Sequence, residues 1–520
     1  MSPVLTPAVF LDRDGTIIED RGHLKTPSEV IFFPDTVRAL QRLQEHFRMF
    51  VVTHQRGIAD GLVSADEVAR VNEHVVAELS RHGVAITEVY CCPHRRDEGC
   101  VCIKPKPHFL EEAARKYGVD PAHSFVVGDH PHDVALAANA GATGVYVLTG
   151  HGTKHRAELP PCKAVVPGIR EAADWILACR EWHLREIDNP GLTTRAAGIL
   201  RRGGVVAFPT ETVYGLGAAA FDERAVARVF EVKGRPRFDP LIVHVSGPEQ
   251  LPLLSVEVSA AAQALIERFW PGPLTLVLPK TPAVPDLVTA GLPTVAVRMP
   301  RHPVALELIE RAGAPVAAPS ANPFGQTSPT TAQHVRDQLA GKVDLVLDGG
   351  PCSVGVESTI VSFVSDAPVL LRPGGLSVED IEEVIGPLGK APQPAICSVS
   401  APGMLPRHYA PRTPLKVMDN GEVRRPDLAR RAGLLAFQTA AYPTAFAAVE
   451  VLSPEGDLRE AAANLFGAMR RLDARGLDCI MAEPVPDCGL GRAINDRLRR
   501  SAAQMRGDQR DTGRSRNHEP

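Results

Sequence analysis

The sequence predicts a multidomain α/β protein. From Ala8 onward, short apolar strands alternate with helix-period stretches, the pattern of parallel sheets layered with helices. The chain has 520 residues, enough for several cores at roughly 150 residues per domain. An apolar fraction of 44%, with 43 Gly and 46 Pro, is that of a globular chain and excludes disorder as its general state. Lys and Arg number 57 against 61 Asp and Glu, and the net charge of −4 gives no reason to expect a globally polybasic nucleic-acid binder. No apolar run approaches the roughly 20 residues that span a bilayer. Asp12, Arg13 and Asp14 interrupt the N-terminus before a signal-peptide core develops, so a cytoplasmic protein with no membrane partner is expected.

Taken in order, the first block (1–186) predicts strands at Ala8–Leu11, Met49–Thr53, near Val89 and at Phe125–Gly128, with helices over Thr36–His46 and Ala65–His82. A helix through Trp175 and Trp182 leads into Asn189-Pro190-Gly191, a linker signal. The second block (187–390) mixes strands such as Val205–Phe208, Leu274–Leu278 and Ile360–Val364 with helices Ala225–Val232 and Ala260–Phe269. A linker (391–411) precedes a smaller block (412–505), with strands Leu415–Met418, Ala432–Phe437 and Cys479–Ala482 around a helix Leu458–Arg475. A polar tail (506–520) is expected to be disordered.

Asp12-Arg13-Asp14-Gly15-Thr16 directly follows the first apolar strand. A parallel sheet binds ligands at its C-terminal edge, so two carboxylates at a strand end can face one phosphate as nucleophile and general acid. A second acidic pair, Asp129 and Asp133, follows Phe125–Gly128 at the same edge, which suits Mg²⁺ with its preference for a few carboxylate oxygens plus phosphate and water. Thr53 ends a strand between the pairs, and Lys104 adds a cation. Cys92-Pro-His94 and Cys100-Val-Cys102 supply three thiolates and an imidazole, a set that suits tetrahedral Zn²⁺.

In this order, the DxDGT, strand-end Thr, Lys and GDxxxD motifs resemble the haloacid dehalogenase superfamily of phosphohydrolases, a Rossmann-like fold. The resemblance implies Asp12 as the nucleophile that forms an aspartyl-phosphate and Asp14 as acid and base. It further implies Asp12, the Asp14 carbonyl and Asp129 around Mg²⁺, with Thr53 and Lys104 on the phosphate. The thiol cluster just before Lys104 resembles the histidinol-phosphate and heptose-bisphosphate phosphatase branch, where a structural zinc orders the loop, and it implies a small phosphorylated metabolite as substrate. Thr53-His54-Gln55 and Ile103-Lys104-Pro105 stand where that branch reads Thr-Asn-Gln and Arg-Lys-Pro, so a sugar bisphosphate does not follow directly.

The second block carries Pro209-Thr-Glu-Thr-Val-Tyr-Gly215, Lys233-Gly-Arg235, His244, Thr294-Val-Ala-Val-Arg298, Pro319-Ser-Ala-Asn322, Glu357-Ser358 and Leu371-Arg-Pro373, each a polar or cationic group beside an apolar strand. Convergent cations and hydroxyls are what a triphosphate and an amino acid require. These motifs resemble the YrdC family, specifically threonylcarbamoyl-adenylate synthases. The resemblance implies Lys233, Arg235, Asp239, Thr294, Ser320, Asn322, Ser328 and Arg372 on the ATP side. Thr212, His244, Arg298, the Ala318 backbone and Ser358 fall on the threonine side. The family has Asn at the position of Asp239, where an acid would repel ATP phosphates unless Mg²⁺ intervenes. Ala401-Pro-Gly-Met404 and Arg407-His-Tyr-Ala-Pro411 resemble the linker of the two-domain synthases, followed by their small Rossmann-like domain, and Leu405-Pro406 replaces a basic-aromatic pair.

The implied protein is a bifunctional enzyme that joins ATP, L-threonine and bicarbonate for tRNA modification, with a tRNA-modifying transferase downstream. A rival of a different class is a noncatalytic RNA-binding module on an inactive phosphatase scaffold, and a third reading is a module of specialised metabolism that carbamoylates another acceptor.

Overall fold

β-branched and aromatic runs buried on both faces become the inner strands of parallel sheets, because helices cover each side. In the computed structural model, which describes residues 5–162, 164–365, 367–390, 408–418, 431–439 and 443–503, the chain divides into two units, Met1–Arg180 and Glu181–Pro520. The expected boundary at residue 186 and the observed division both fall inside one helix, Ile169–Asp188. Leu405-Pro406, Arg407, most of the expected linker and the tail lie outside the described residues.

The first unit is a six-stranded sheet ordered β3-β2-β1-β4-β5-β6. Its strands are β1 (Ala8–Leu11), β2 (Arg48–His54), β3 (Glu88–Cys92), β4 (Phe125–Gly128), β5 (Thr143–Val147) and β6 (Ala164–Val166). Every pairing is parallel. Helix α1 (Thr36–Gln44) and helix α2 (Ala65–Arg81) bury Leu40, Leu43, Val71, Val75 and Leu79 in a core with Val9, Leu11 and Val51. Helix α2 starts at Ser64 in a capping box with Glu67, which satisfies two end groups reciprocally. The chain order reverses beside β1, so the ends of β1 and β4 form the crevice where such sheets bind ligands.

The second unit holds a mixed ten-stranded sheet ordered β13-β7-β8-β12-β9-β11-β10-β14-β15-β16. In chain order these are β7 (Val206–Phe208), β8 (Gly215–Ala219), β9 (Ile242–His244), β10 (Leu274–Pro279), β11 (Thr294–Arg298), β12 (Val316–Ala317), β13 (Leu345–Val346), β14 (Thr359–Ser362), β15 (Val369–Arg372) and β16 (Gly389–Lys390). β9 and β11 pair in parallel with Arg298 opposite His244. A four-stranded parallel sheet, ordered β17-β20-β18-β19, follows: β17 (Leu415–Val417), β18 (Ala432–Ala436), β19 (Ala448–Val451) and β20 (Cys479–Ala482). Helices Leu458–Asp473 and Gly491–Ala502 cover it, and their core continues through Tyr409 to Val213 and Val356, in the segments that lead into β8 and β14 of the larger sheet. No helix among the described residues is long and apolar enough to cross a membrane.

Candidate active sites

At the end of β1, the Asp12 backbone N–H donates to the Val127 carbonyl (2.8 Å), which ties the acidic loop to β4. Lys104 Nζ bridges Asp12 (2.5 Å) and Asp133 (2.6 Å). Burial opposes the charge on Lys104, but the two carboxylates outweigh it and hold its pKa up. Asp12 is pushed up to about 7, by burial first and then by Asp133 against the pull of Lys104. Asp129 is pushed up to about 8 by burial and by Asp12. Gly15, at φ +80°, is required here: a Cβ would sit 2.1 Å from Asp129 Oδ2.

Asp14 is held in place rather than free. Its carboxylate accepts from the buried Arg13 guanidinium (2.7 Å) and from Gln55 Nε2 (2.7 Å). Gln55 also donates to Thr53 Oγ1 (2.8 Å), so Thr53 shares the crevice with the acidic loop. Four carboxylates face two cations, and the excess of buried negative charge fits a divalent cation.

The thiol cluster forms where the chain leaves β3. Sγ of Cys92, Cys100 and Cys102 and one ring nitrogen of His94 all lie within 4.8 Å of one another. The Cys92–Cys100 and Cys100–Cys102 sulfur pairs are 3.8 Å apart, and Cys102 Sγ lies 3.3 Å from His94 Nδ1. A tetrahedron with Zn–S bonds of about 2.3 Å has edges of about 3.8 Å, so the four groups fit zinc.

In the second unit a cleft is lined by Thr212, Arg235, His244, Arg298, Ala318, Ser320, Ser358 and Arg372, among others. The register of β9 and β11 places His244 and Arg298 side by side. Arg298 is held on three sides: Nε donates to the Gly272 carbonyl (3.1 Å), one terminal nitrogen to Thr212 Oγ1 (2.8 Å), and the other lies 2.6 Å from Glu211. Burial would raise the Glu211 pKa, but Arg298 and Arg301 outweigh it and keep the carboxylate ionised. Burial and Arg298 push His244 down to about 3, so its ring is neutral.

Lys233, Asn322, Ser328 and Asp239 are buried next to this cleft. Lys233 ends helix Glu223–Lys233 and its ammonium donates to the Ser320 and Asn322 carbonyls. Burial and then Arg235 push its pKa well down. Asp239 lies 2.8 Å from the Arg235 guanidinium, so the acid expected to repel phosphates is neutralised within the fold. Thr294 begins β11 and Arg298 ends it, so the two lie about 13 Å apart at 3.3 Å per residue, and Thr294 is not among the residues that line the cleft.

Sequence reasoning missed Glu211, Glu357, His408 and Tyr409, all except Glu211 in the lining. The first two pair with cations already read as ligand-binding or distant in sequence. His408 and Tyr409 stood in the linker motif without a role. His244 Nδ1, Asn322 Oδ1, His408 Nδ1 and Tyr409 Oη are buried without a hydrogen-bond partner among the described residues. Unpartnered polar atoms around one cleft mark a place where a polar ligand completes the bonding.

Fold and cleft together define an α/β protein with a cation-lined small-molecule site. A family model described as telomere recombination matches residues 198–374, one described as threonylcarbamoyl-AMP synthase, C-terminal domain, matches 376–503, and a HAD-hydrolase-like model matches 101–172. The threonylcarbamoyl-AMP synthase of Pyrococcus abyssi is 47% identical over 321 residues, covering 59% of this chain and 93% of the relative. That of Bacillus subtilis is 46% identical over 324 residues, covering 60% and 94%. A crystal structure of the Pyrococcus abyssi protein complexed with L-threonine is 46% identical with a TM-score of 0.56, over 60% of this chain and 94% of that one. The chain belongs to the threonylcarbamoyl-AMP synthase family and carries a haloacid dehalogenase-like unit ahead of it.

Proposed function

We propose that the chain is a bifunctional enzyme in which the second unit makes threonylcarbamoyl-adenylate and the first hydrolyses a phosphate monoester. The observation that carries the first half is the cleft in which Arg298, Thr212 and His244 meet Arg235, Ser320, Ser358 and Arg372. The threonine amine captures bicarbonate as a carbamate with loss of water. A carbamate oxygen then attacks the α-phosphorus of ATP, and the bond to the pyrophosphate leaving group breaks. Arg298 pairs with the threonine carboxylate while Lys233, Arg235 and Arg372 offset charge on the nucleotide, so catalysis rests on position and charge. The product serves modification of adenosine in tRNA, in the cytoplasm, through a downstream transferase. Threonine-dependent pyrophosphate release from ATP and bicarbonate tests this reading. Its absence, with a salt-sensitive RNA shift instead, would favour the RNA-binding rival.

In the first unit, Asp12 attacks phosphorus while Asp14 gives a proton to the departing oxygen. Asp14 then takes a proton from the water that attacks the aspartyl-phosphate and restores Asp12. Thr53 and Lys104 hold phosphate oxygens. Asp12, the Asp14 carbonyl and Asp129 would hold Mg²⁺, which when bound offsets charge on the transferring phosphoryl group. The substrate is a small phosphorylated metabolite, to be identified by phosphate release across a panel. Cys92, His94, Cys100 and Cys102 would bind one structural zinc, since four protein ligands leave no open position. Metal analysis should find one zinc per chain in the wild type and almost none in Cys100→Ser/Cys102→Ser, and equal contents would remove the site.

A further inference from the structure

We infer that Arg497, on the C-terminal helix Gly491–Ala502, is a positioning residue for the nucleotide side of the synthase cleft. Its side chain is completely buried, yet it is absent from the cleft lining. Everything it holds on the cleft side belongs to that lining or adjoins it. Its Nε donates to Glu357 Oε2 (2.8 Å), and the other Glu357 oxygen accepts from Ser328 Oγ (2.5 Å). One terminal nitrogen donates to the Pro373 carbonyl (2.9 Å), next to Arg372, whose own guanidinium is aligned on the Ser358 carbonyl (2.9 Å). The guanidinium also lies over the Tyr409 ring, 5.0 Å from its centroid, while Ser501 on the same helix donates to the Tyr409 carbonyl (2.9 Å).

Three parts of one wall, Glu357 with Ser328, the Arg372–Pro373 turn and Tyr409, therefore share a single anchor. Asp496 supports it at 2.7 Å, through the same terminal nitrogen that donates to Pro373. A planar guanidinium is suited to this task because its donors point in fixed directions and its face remains available for an aromatic ring. Arg497 aligns the wall before ligand arrives. The C-terminal sheet and helices thus contribute to nucleotide binding without touching the nucleotide.

The inference rests on the synthase reading, because Ser328 and Arg372 are nucleotide contacts only where the cleft binds ATP. The test uses the full chain as wild type, Arg497→Lys, and the double variant Glu357→Gln/Arg497→Met, which leaves no unpaired buried charge and so guards against simple misfolding. ATP and L-threonine binding are measured separately by calorimetry, per folded protein from thermal unfolding. Arg497→Lys should weaken ATP by about tenfold, the loss of one charge-assisted hydrogen bond, and leave threonine affinity near wild type. The double variant should recover thermal stability without recovering ATP affinity. A merely structural role predicts equal loss of both ligands or loss of neither, and either result overturns the inference. A wild type that binds no ATP overturns the synthase reading and the inference with it, whereas failure confined to the variants overturns the inference alone.

Discussion

The two sites solve opposite electrostatic problems within one chain. In the first unit Asp12, Asp14, Asp129 and Asp133 crowd around Lys104 and Arg13, and burial pushes Asp12 and Asp129 up to about 7 and 8. In the second, Lys233, Arg235, Arg298 and Arg372 outnumber the carboxylates that line or flank the cleft, and burial pushes Lys233, Arg235 and Arg372 down. The first site is deficient in positive charge and the second in negative charge. A net charge of −4 conceals both, which shows that composition bears on the whole surface and says little about any one site.

The largest test of that contrast is Asp12→Asn, which should lower phosphate release by roughly 10³-fold or more, as loss of a covalent nucleophile does. Threonine-dependent pyrophosphate release should be unchanged. Parallel assays decide the matter, and phosphatase turnover at the wild-type rate would sink the covalent route.

Next comes Arg298→Ala, which removes the cation proposed for the threonine carboxylate. Threonine affinity should fall by about 1.5–3 kcal/mol, the value of a hydrogen bond to a charged group. Calorimetry should show less change for ATP, and Arg235→Ala should reverse the order. The same substitution leaves Glu211 buried beside Arg301 alone, so a drop in melting temperature is expected too.

Asp239→Asn sharpens the comparison in the other direction. It removes the carboxylate 2.8 Å from Arg235 and should strengthen ATP binding several-fold, because a charge now spent inside the fold becomes available to phosphate. Weaker binding would show that the acid instead orients the guanidinium.

The smallest effect concerns acid stability. Burial pushes His302, which caps a helix through Nδ1, down to about 4 from its ordinary 6.5. The unfolded chain takes up a proton near pH 6.5 and the folded chain only near 4, so this contribution is complete above 6.5 and is lost as pH falls from 6.5 to 4. His302→Asn keeps a capping oxygen and removes the titration. The gap in melting temperature between wild type and variant should narrow over that window, and a constant gap would refute the assignment.

Much of the first unit was legible because its chemistry sits in short motifs at strand ends. Residues 12–14, 92–102 and 129–133 each carry their own spacing, and β1, β2 and β4 match the expected runs closely. The second site was legible as a set of residue types but not as a network. Glu357 and Arg497 are 140 residues apart, and no local period links them. Thr294 was placed on the ATP side by the resemblance alone, since a strand edge in sequence does not say which end lines a cleft. The Arg235–Asp239 pair was within reach, since four residues separate them, but it was read as two opposing ligand contacts rather than one internal pair. β12 and β13, each two residues long, carry too little pattern to announce themselves.

The pairing of β9 with β11 has a consequence for how this cleft can change through descent. Arg298 and His244 face each other because backbone register aligns them, and successive strand residues point to opposite faces. Substitutions can tune either side chain separately. A single-residue insertion or deletion in either strand would turn that strand's own member of the pair to the other face and abolish the pair at once. These two strands are therefore free to drift in composition but not in length, and surviving variation in the amino-acid pocket should consist of exchanges rather than gaps.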